Sequence, residues 1–260
     1  MYDFKTFAQM NLDLIFQGFD RMPQPGEEVF AKRFTMQLGG GPIVCPIVLE
    51  QLGFRVRLGT FLGQDDVSDL CRRLLDQRGF SSYDEFAQDN PDPVVVTSVF
   101  SWEHDRGFLA HNEGVYESVL DPETVYGFLR DAKVVFAPVG QPEGTRRLHE
   151  KGVKVVYDSG WSDDLSIDGI KAFLPYIDVY TPNDREARKL AGTDDLEEAV
   201  RFLAGYTPHP VVTLGKGGCA YWQDGSIRYA PAIDEFRAVD TTGAGDNFLT
   251  GIIYGLLTEE

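Results

Sequence analysis

Two carboxylates, Asp240 and Asp246, bracket a Gly243-Ala244-Gly245 turn, and apolar residues then recur at Phe248, Leu249, Ile252, Ile253 and Leu256. That recurrence is the one-face spacing of a helix, so a glycine turn opens a helix here. The first-turn N–H groups of a helix have no intrahelical partner, and the helix dipole adds partial positive charge at the same end. The glycines let a phosphate approach this backbone closely. Asp246 lies beside that place and can accept a proton from an attacking hydroxyl. An Asp/Thr cap on a flexible turn is the alternative reading of the same residues.

Three further groups carry chemistry. Asn183 and Glu186 in Thr181-Pro182-Asn183-Asp184-Arg185-Glu186 share one helical face, where an amide oxygen and a carboxylate could orient hydrated Mg²⁺. A plain capping box explains the same spacing, and on sequence alone it is favoured. Thr213-Leu214-Gly215-Lys216-Gly217-Gly218 is a strand running into a glycine turn, suited either to a nucleotide or to a tight turn between strands. Asn11 and Asp13 stand at the polar end of a strand, the position where open α/β sheets hold ligands. Neither a G-x-x-x-x-G-K-[ST] loop nor a G-x-G-x-x-G turn after the first strand is present, so Walker-type and nicotinamide-dehydrogenase readings lack their fingerprints.

The elements that must position these groups alternate. A strand is expected over 4–16, an extended piece over 28–36, a helix over 43–52 opened by Gly39-Gly40-Gly41-Pro42, a strand over 54–61 and a helix over 67–78. After the break at Asn90-Pro91-Asp92-Pro93, strands over 94–100 and 107–112 form a hairpin that reads as a lid or a dimer contact. His104 and Arg106 in its turn read as solvated charges. Helices over 122–130, 142–151, 167–174, 184–191 and 194–205 then alternate with strands over 133–138, 153–158, 177–181 and 210–214, followed by strands over 219–222 and 226–230. Continuous apolar strands such as Val153 to Tyr157 suit a parallel sheet covered on both faces.

Bulk properties narrow the function classes. At 260 residues, with 43% hydrophobic and 25% charged residues, the chain reads as a single globular α/β domain. A net charge of −17 argues against nucleic acid and against an anionic membrane surface. No secretory N-terminus and no membrane-spanning apolar run is seen, so a cytoplasmic location is expected. Cys45, Cys71 and Cys219 contain no Cys-x-x-Cys pair, and the four histidines make no H-E-x-x-H pattern, so a structural metal is not expected.

Taken in order, Asp13, Gly39-Gly40, Gly63-x-Asp65, Asn183-x-x-Glu186, Thr213-Leu214-Gly215-x-x-Gly218 and Asp-Thr-Thr-Gly-Ala-Gly-Asp at 240–246 resemble the ribokinase-like (PfkB) family of carbohydrate kinases. The resemblance runs from about Asn11 to Leu257. It implies a three-layer α/β/α domain over 1–260, with a mainly parallel central sheet and a small β-sheet lid built from segments near 14–36 and 94–112. It implies phosphorylation of a sugar or sugar-like hydroxyl by ATP with Mg²⁺, and leaves room for a monovalent cation. Asp246 would be the base, and the N–H groups of Gly243, Ala244 and Gly245 the anion hole. Asn183, Thr213, Gly215, Gly217 and Gly218 would line the nucleotide, Glu186 would act on Mg²⁺ through water, and Asn11, Asp13, Gly39 and Gly40 would contact the sugar. A homodimer through the lid is also implied.

Two departures bear on the acceptor and the nucleotide. The family usually has Gly-Gly-x-x-x-Asn in the second motif, and here the Asn position is Val44, which removes one hydroxyl-binding amide. Family members usually add helices that close the adenine pocket after the signature helix, and this sequence ends at Glu260. A nucleoside kinase of the same fold, or a non-catalytic sugar- or nucleotide-binding relative, are the alternatives.

Overall fold

The computed structural model describes residues 1–87, 89–102, 105–112, 120–138, 140–233, 235 and 243–258, with only the backbone of 105–106. The chain begins with β1 (Tyr2–Gln9), β2 (Asn11–Phe19) and β3 (Arg33–Leu38), then α1 (Gly41–Gln51), β4 (Val56–Phe61), α2 (Asp66–Gln77), β5 (Tyr83–Glu85), β6 (Val95–Trp102) and β7 (Asp105–His111). It continues through α3 (Pro122–Leu129), β8 (Ala132–Phe136), α4 (Pro142–Glu150), β9 (Lys154–Tyr157), α5 (Ile167–Ile170), β10 (Val179–Tyr180), α6 (Asp184–Ala191) and α7 (Leu196–Ala204). Strands β11 (His209–Thr213), β12 (Cys219–Gln223) and β13 (Ser226–Ala230) precede α8 (Ala244–Thr258).

Among the described residues these strands make two sheets. The larger runs β13-β12-β11-β10-β9-β8-β1-β4-β5, parallel from β11 to β5 and antiparallel at β12 and β13. The smaller runs β3-β2-β6-β7. Phe4, Leu58, Val134, Val155 and Val156 are fully buried, as continuous apolar strands in a parallel sheet require. Chain order places β4 and β5 on one side of β1 and β8 on the other, so the sheet changes winding direction at β1 and β8. A crevice outside the carboxyl ends of the strands is expected at such a point.

The expected strand over 4–16 is in fact two. Met10 is buried outside both strands and its carbonyl accepts from the Val95 N–H at 2.9 Å, so β1 enters the large sheet and β2 the small one. The extended piece over 28–36 pairs only from Arg33 onward. The helix over 167–174 stops at Ile170, and Leu174–Tyr176 forms a single 3₁₀ turn, because Pro175 disfavours helical geometry at the residue before it. Strand β5 has three residues, too few to show a period. The hairpin turn at 103–104 lies outside the described residues.

Register assigns the two faces of the small sheet. Asp13 opposes Thr97, Thr97 opposes Ala110, and Asn11 opposes Val95, so these side chains share the inner face. Leu14 opposes Met36 and Ser98, Ser98 opposes Leu109, and Phe16 opposes Phe34 and Phe100, which puts those residues on the outer face. No helix among the described residues is long and apolar enough to cross a membrane.

Candidate active site

The sugar-side residues meet at the start of β2. Asn11 Nδ2 donates to Asp13 Oδ1 at 3.0 Å, and Thr97 Oγ1 donates to Asn11 Oδ1 at 3.2 Å. Burial pushes the Asp13 carboxyl above the usual carboxylate range, partly offset by the Asn11 amide. Gly39 has no room for a side chain, because a Cβ there would run into Asp13 Oδ2 and would lie 2.8 Å from Asn11 Nδ2. Its N–H donates to the Asn11 carbonyl at 3.1 Å. Gly40 follows with φ 85 and opens α1, a conformation that glycine adopts without strain. The four predicted sugar-side residues are therefore brought together.

Asp246 lies in the first turn of α8, and α8 packs against α1. A Cβ on Gly41, the first residue of α1, would be only 3.3 Å from Asp246 Oδ1. The carboxylate thus reaches the N-terminal end of α1 while sitting at that of α8. Cys45 and Thr250 hold the two helices in this relation: the Cys45 thiol donates to the Asp246 carbonyl at 3.6 Å, and Thr250 Oγ1 donates to that carbonyl at 2.8 Å. Burial pushes the thiol up to about 12, so it stays a neutral donor. Gly243 has φ 77, and a Cβ on Gly245 would meet only open space. Asp240, Thr241 and Thr242 of the signature lie outside the described residues.

Asp246 is pushed up to about 6, first by burial and then by the charges of Asp158 and Asp13. Asp158, just past the end of β9, is also raised to about 6 by burial and by Glu186, against a hydrogen bond from the Gly160 N–H. Glu186 itself is buried and raised, chiefly by that burial. Glu186, Asp158, Asp246 and Asp13 therefore form a chain of carboxylates, each feeling the next, along the carboxyl edge of the large sheet. Sequence reasoning missed Asp158. A single acid after an apolar strand has no spacing to announce it, and only its place at a strand end hinted at a role.

On the nucleotide side the capping box is complete. Glu186 N–H donates to Asn183 Oδ1 at 3.0 Å, and Asn183 N–H donates to Glu186 Oε2 at 2.9 Å. Asn183 also bridges to Thr213, whose N–H donates to the Pro182 carbonyl at 3.0 Å, so the two predicted motifs meet. Gly218 is glycine for a packing reason: it has φ 84, and a Cβ would strike the Ala230 carbonyl of β13. Gly215 has φ 56 with open space around it, and Gly217 packs near Leu214. Asp65 caps α2, accepting from the Val67 and Ser68 N–H groups.

Between the sheets lies a cavity of about 560 Å³, lined by Asn11, Gly39, Gly40 and Thr97 on one side and by large-sheet residues including Phe7, Phe61 and Phe136 on the other. Asn11 and Gly39 of its wall adjoin Asp13. No group of three His, Cys, Asp or Glu side chains among the described residues could hold a bare metal ion. The acid chain offers the oxygen donors that a hydrated Mg²⁺ favours.

Comparison with known proteins bears on the fold and the family. The model of the pfkB family of carbohydrate kinases matches residues 143–260. Ribokinase of Lactococcus lactis is 23% identical over 261 residues, covering 96% of this chain and 82% of its own. Over residues 143–260 the chain is similar to the pfkB family of carbohydrate kinases. The 1-phosphofructokinase of Haemophilus influenzae is 29% identical over 80% of this chain and 70% of its own. Arabidopsis thaliana ribokinase, solved with ribose and ATP, superposes with a TM-score of 0.78 at 22% identity, covering 100% of this chain and 87% of that one. The fold is ribokinase-like, and the relatives it matches are named as sugar and sugar-phosphate kinases.

Proposed function

We propose that this protein transfers the γ-phosphoryl group of ATP to a hydroxyl of a sugar or sugar-like alcohol, with Asp246 as the base. The observation that carries the reading is the position of the Asp246 carboxylate, within reach of the first residue of α1, in the first turn of α8 and beside the Asn11–Asp13–Gly39 group. Asp13 and Asn11 orient the acceptor hydroxyls. Asp246 takes the proton as the hydroxyl attacks, and the N–H groups of Gly243, Ala244 and Gly245 hold the charge that develops on the transferring group. Thr213 and the Gly215–Gly218 turn line the nucleotide beside Asn183. Glu186 and Asp158 would hold the water shell of Mg²⁺, and the ion would offset the phosphate charge. The small sheet acts as a lid, its inner face covering the acceptor.

The test is phosphoryl transfer across a sugar panel, with and without a monovalent cation, repeated with Asp246→Asn. Loss of one general base costs roughly 10²–10⁴-fold in rate, and calorimetry should show sugar binding retained. Undiminished turnover in the variant overturns the assignment of the base.

A further inference from the structure

The Asn11 side chain could sit in the acceptor site in two ways. Its amide presents an oxygen on one side and an NH₂ on the other with little difference in shape, so the neighbours decide which faces where. The Asp13 carboxylate needs the NH₂ and receives it, for Nδ2 donates to Asp13 Oδ1 at 3.0 Å. The reverse orientation would set the amide oxygen against the carboxylate.

What holds the amide this way round comes from the next strand. Thr97 stands opposite Asp13 on β6 and lines the cavity. Its Oγ1 donates to Asn11 Oδ1 at 3.2 Å, so the amide oxygen is taken and the NH₂ is left for Asp13. The β-branched side chain of threonine is stiff, which fixes where that hydroxyl points. Gly39 packs close against both groups, since a Cβ there would lie 2.2 Å from Asp13 Oδ2 and 2.8 Å from Asn11 Nδ2. Asp13 depends on the Asn11 donor. Asp13 is 8% exposed, burial favours its neutral form, and the Asn11 amide opposes that. Gln37 of β3 and Thr97 of β6, which oppose it in the sheet, are neutral, and the charged group facing it from α8 is Asp246, which repels it. No Lys, Arg or His pairs with Asp13 among the described residues.

We propose that Thr97 is a positioning residue for the acceptor: its hydroxyl locks the Asn11 amide with the NH₂ toward Asp13, so that Asp13 presents a carboxylate to sugar hydroxyls. Thr97 acts through Asn11 and needs no contact of its own with the acceptor. The role toward the acceptor rests on the kinase reading above, whereas the lock on Asp13 is a property of the free protein.

The experiment follows the Asp13 carboxyl carbon by NMR across pH in the free protein, with the signal assigned by Asp13→Asn. Thr97→Val should move the Asp13 titration up in pH by about 0.5–1, the size of one hydrogen bond, and Thr97→Ser should leave it where the wild type has it. Thr97→Ala should match the valine variant and replaces it if valine prevents folding. Asn11→Ala should move the titration at least as far, and Thr97→Val added to Asn11→Ala should move it no further, because the hydroxyl acts through the amide. In parallel, kcat and KM are measured with the sugar of the panel that is turned over fastest. Thr97→Val should raise its KM about 3–10-fold and change kcat less, with Thr97→Ser again restoring the wild-type value. An unmoved titration or an unmoved KM in Thr97→Val and Thr97→Ala, or an equal change in Thr97→Ser, would overturn the proposal and leave the kinase reading standing. The expected titrations without transfer to any sugar would sustain the lock on Asp13 and overturn the kinase reading.

Discussion

Asp246 must be ionised to take the proton of the attacking hydroxyl, yet burial and the neighbouring charges of Asp158 and Asp13 keep it protonated up to about 6. Activity and stability therefore respond to pH in opposite directions. Activity needs the carboxylate, so kcat/KM should fall as pH drops through about 6. For stability, the folded pKa lies above the ordinary carboxylate value. The proton adds stability that is fully present below that ordinary value and is lost as pH rises through about 6. Removing the charge should thus stabilise the fold where the wild type is ionised. Asp246→Asn is expected to gain on the order of 1–3 kcal/mol at pH 7 to 8 and little at pH 4, read by denaturant unfolding at both pH values. An equal gain at both would show that the fold does not disfavour the ionised form. Asp158→Asn should lower the acidic limb of the Asp246 rate profile, since the Asp158 charge is one cause of the shift. A limb that stays at about 6 would leave the shift to burial and Asp13.

The two helices that meet at Asp246 show which parts of the site could be read from the chain. The Gly-Ala-Gly turn and the apolar spacing behind it are local, so α8 was legible as a helix opened by a glycine turn. Its docking on the start of α1 was not, because Gly41, Cys45 and Thr250 meet across about two hundred residues and no spacing encodes that contact. The same limit explains the division of the first strand at Met10. The run Leu12 to Phe16 continues the apolar pattern of β1, and only the pairing with β6 reveals a second sheet. Glycines invite a converse error, since similar turns can serve packing or binding. Gly218→Ala should cost about 2–4 kcal/mol of stability, because the new Cβ meets the Ala230 carbonyl at a positive φ. Gly215→Ala, in open space, should cost only the left-handed strain of about 1–2 kcal/mol. Chemical denaturation of both variants checks this, and equal costs would refute the packing account of Gly218.

At the scale of the whole molecule, the small sheet presents two faces with different needs. Its inner face covers the cavity, while its outer face leaves Phe34 50% and Leu109 68% exposed beside Met36. Phe16 ties that face together, with ring centroids 4.9 Å from Phe34 and 5.9 Å from Phe100. An exposed apolar sheet face of this kind marks an interaction surface, and we propose that a second copy of the chain covers it. Two copies each carrying a net charge of −17 repel one another at long range. Salt screens that repulsion over a Debye length of roughly 8–10 Å near physiological ionic strength and strengthens apolar burial. Dimerisation should therefore tighten as salt is raised, opposite to an interface held by ion pairs. Sedimentation equilibrium across a salt series checks the sign. Phe34→Lys should weaken association by at least about tenfold, because it places a charge at the centre of the covered face. Covering that face also restrains the sheet whose other side closes on the acceptor, so the same variant should raise KM for the acceptor more than it lowers kcat. A monomer at every salt concentration, with an unchanged KM in Phe34→Lys, would remove the outer face from the catalytic design.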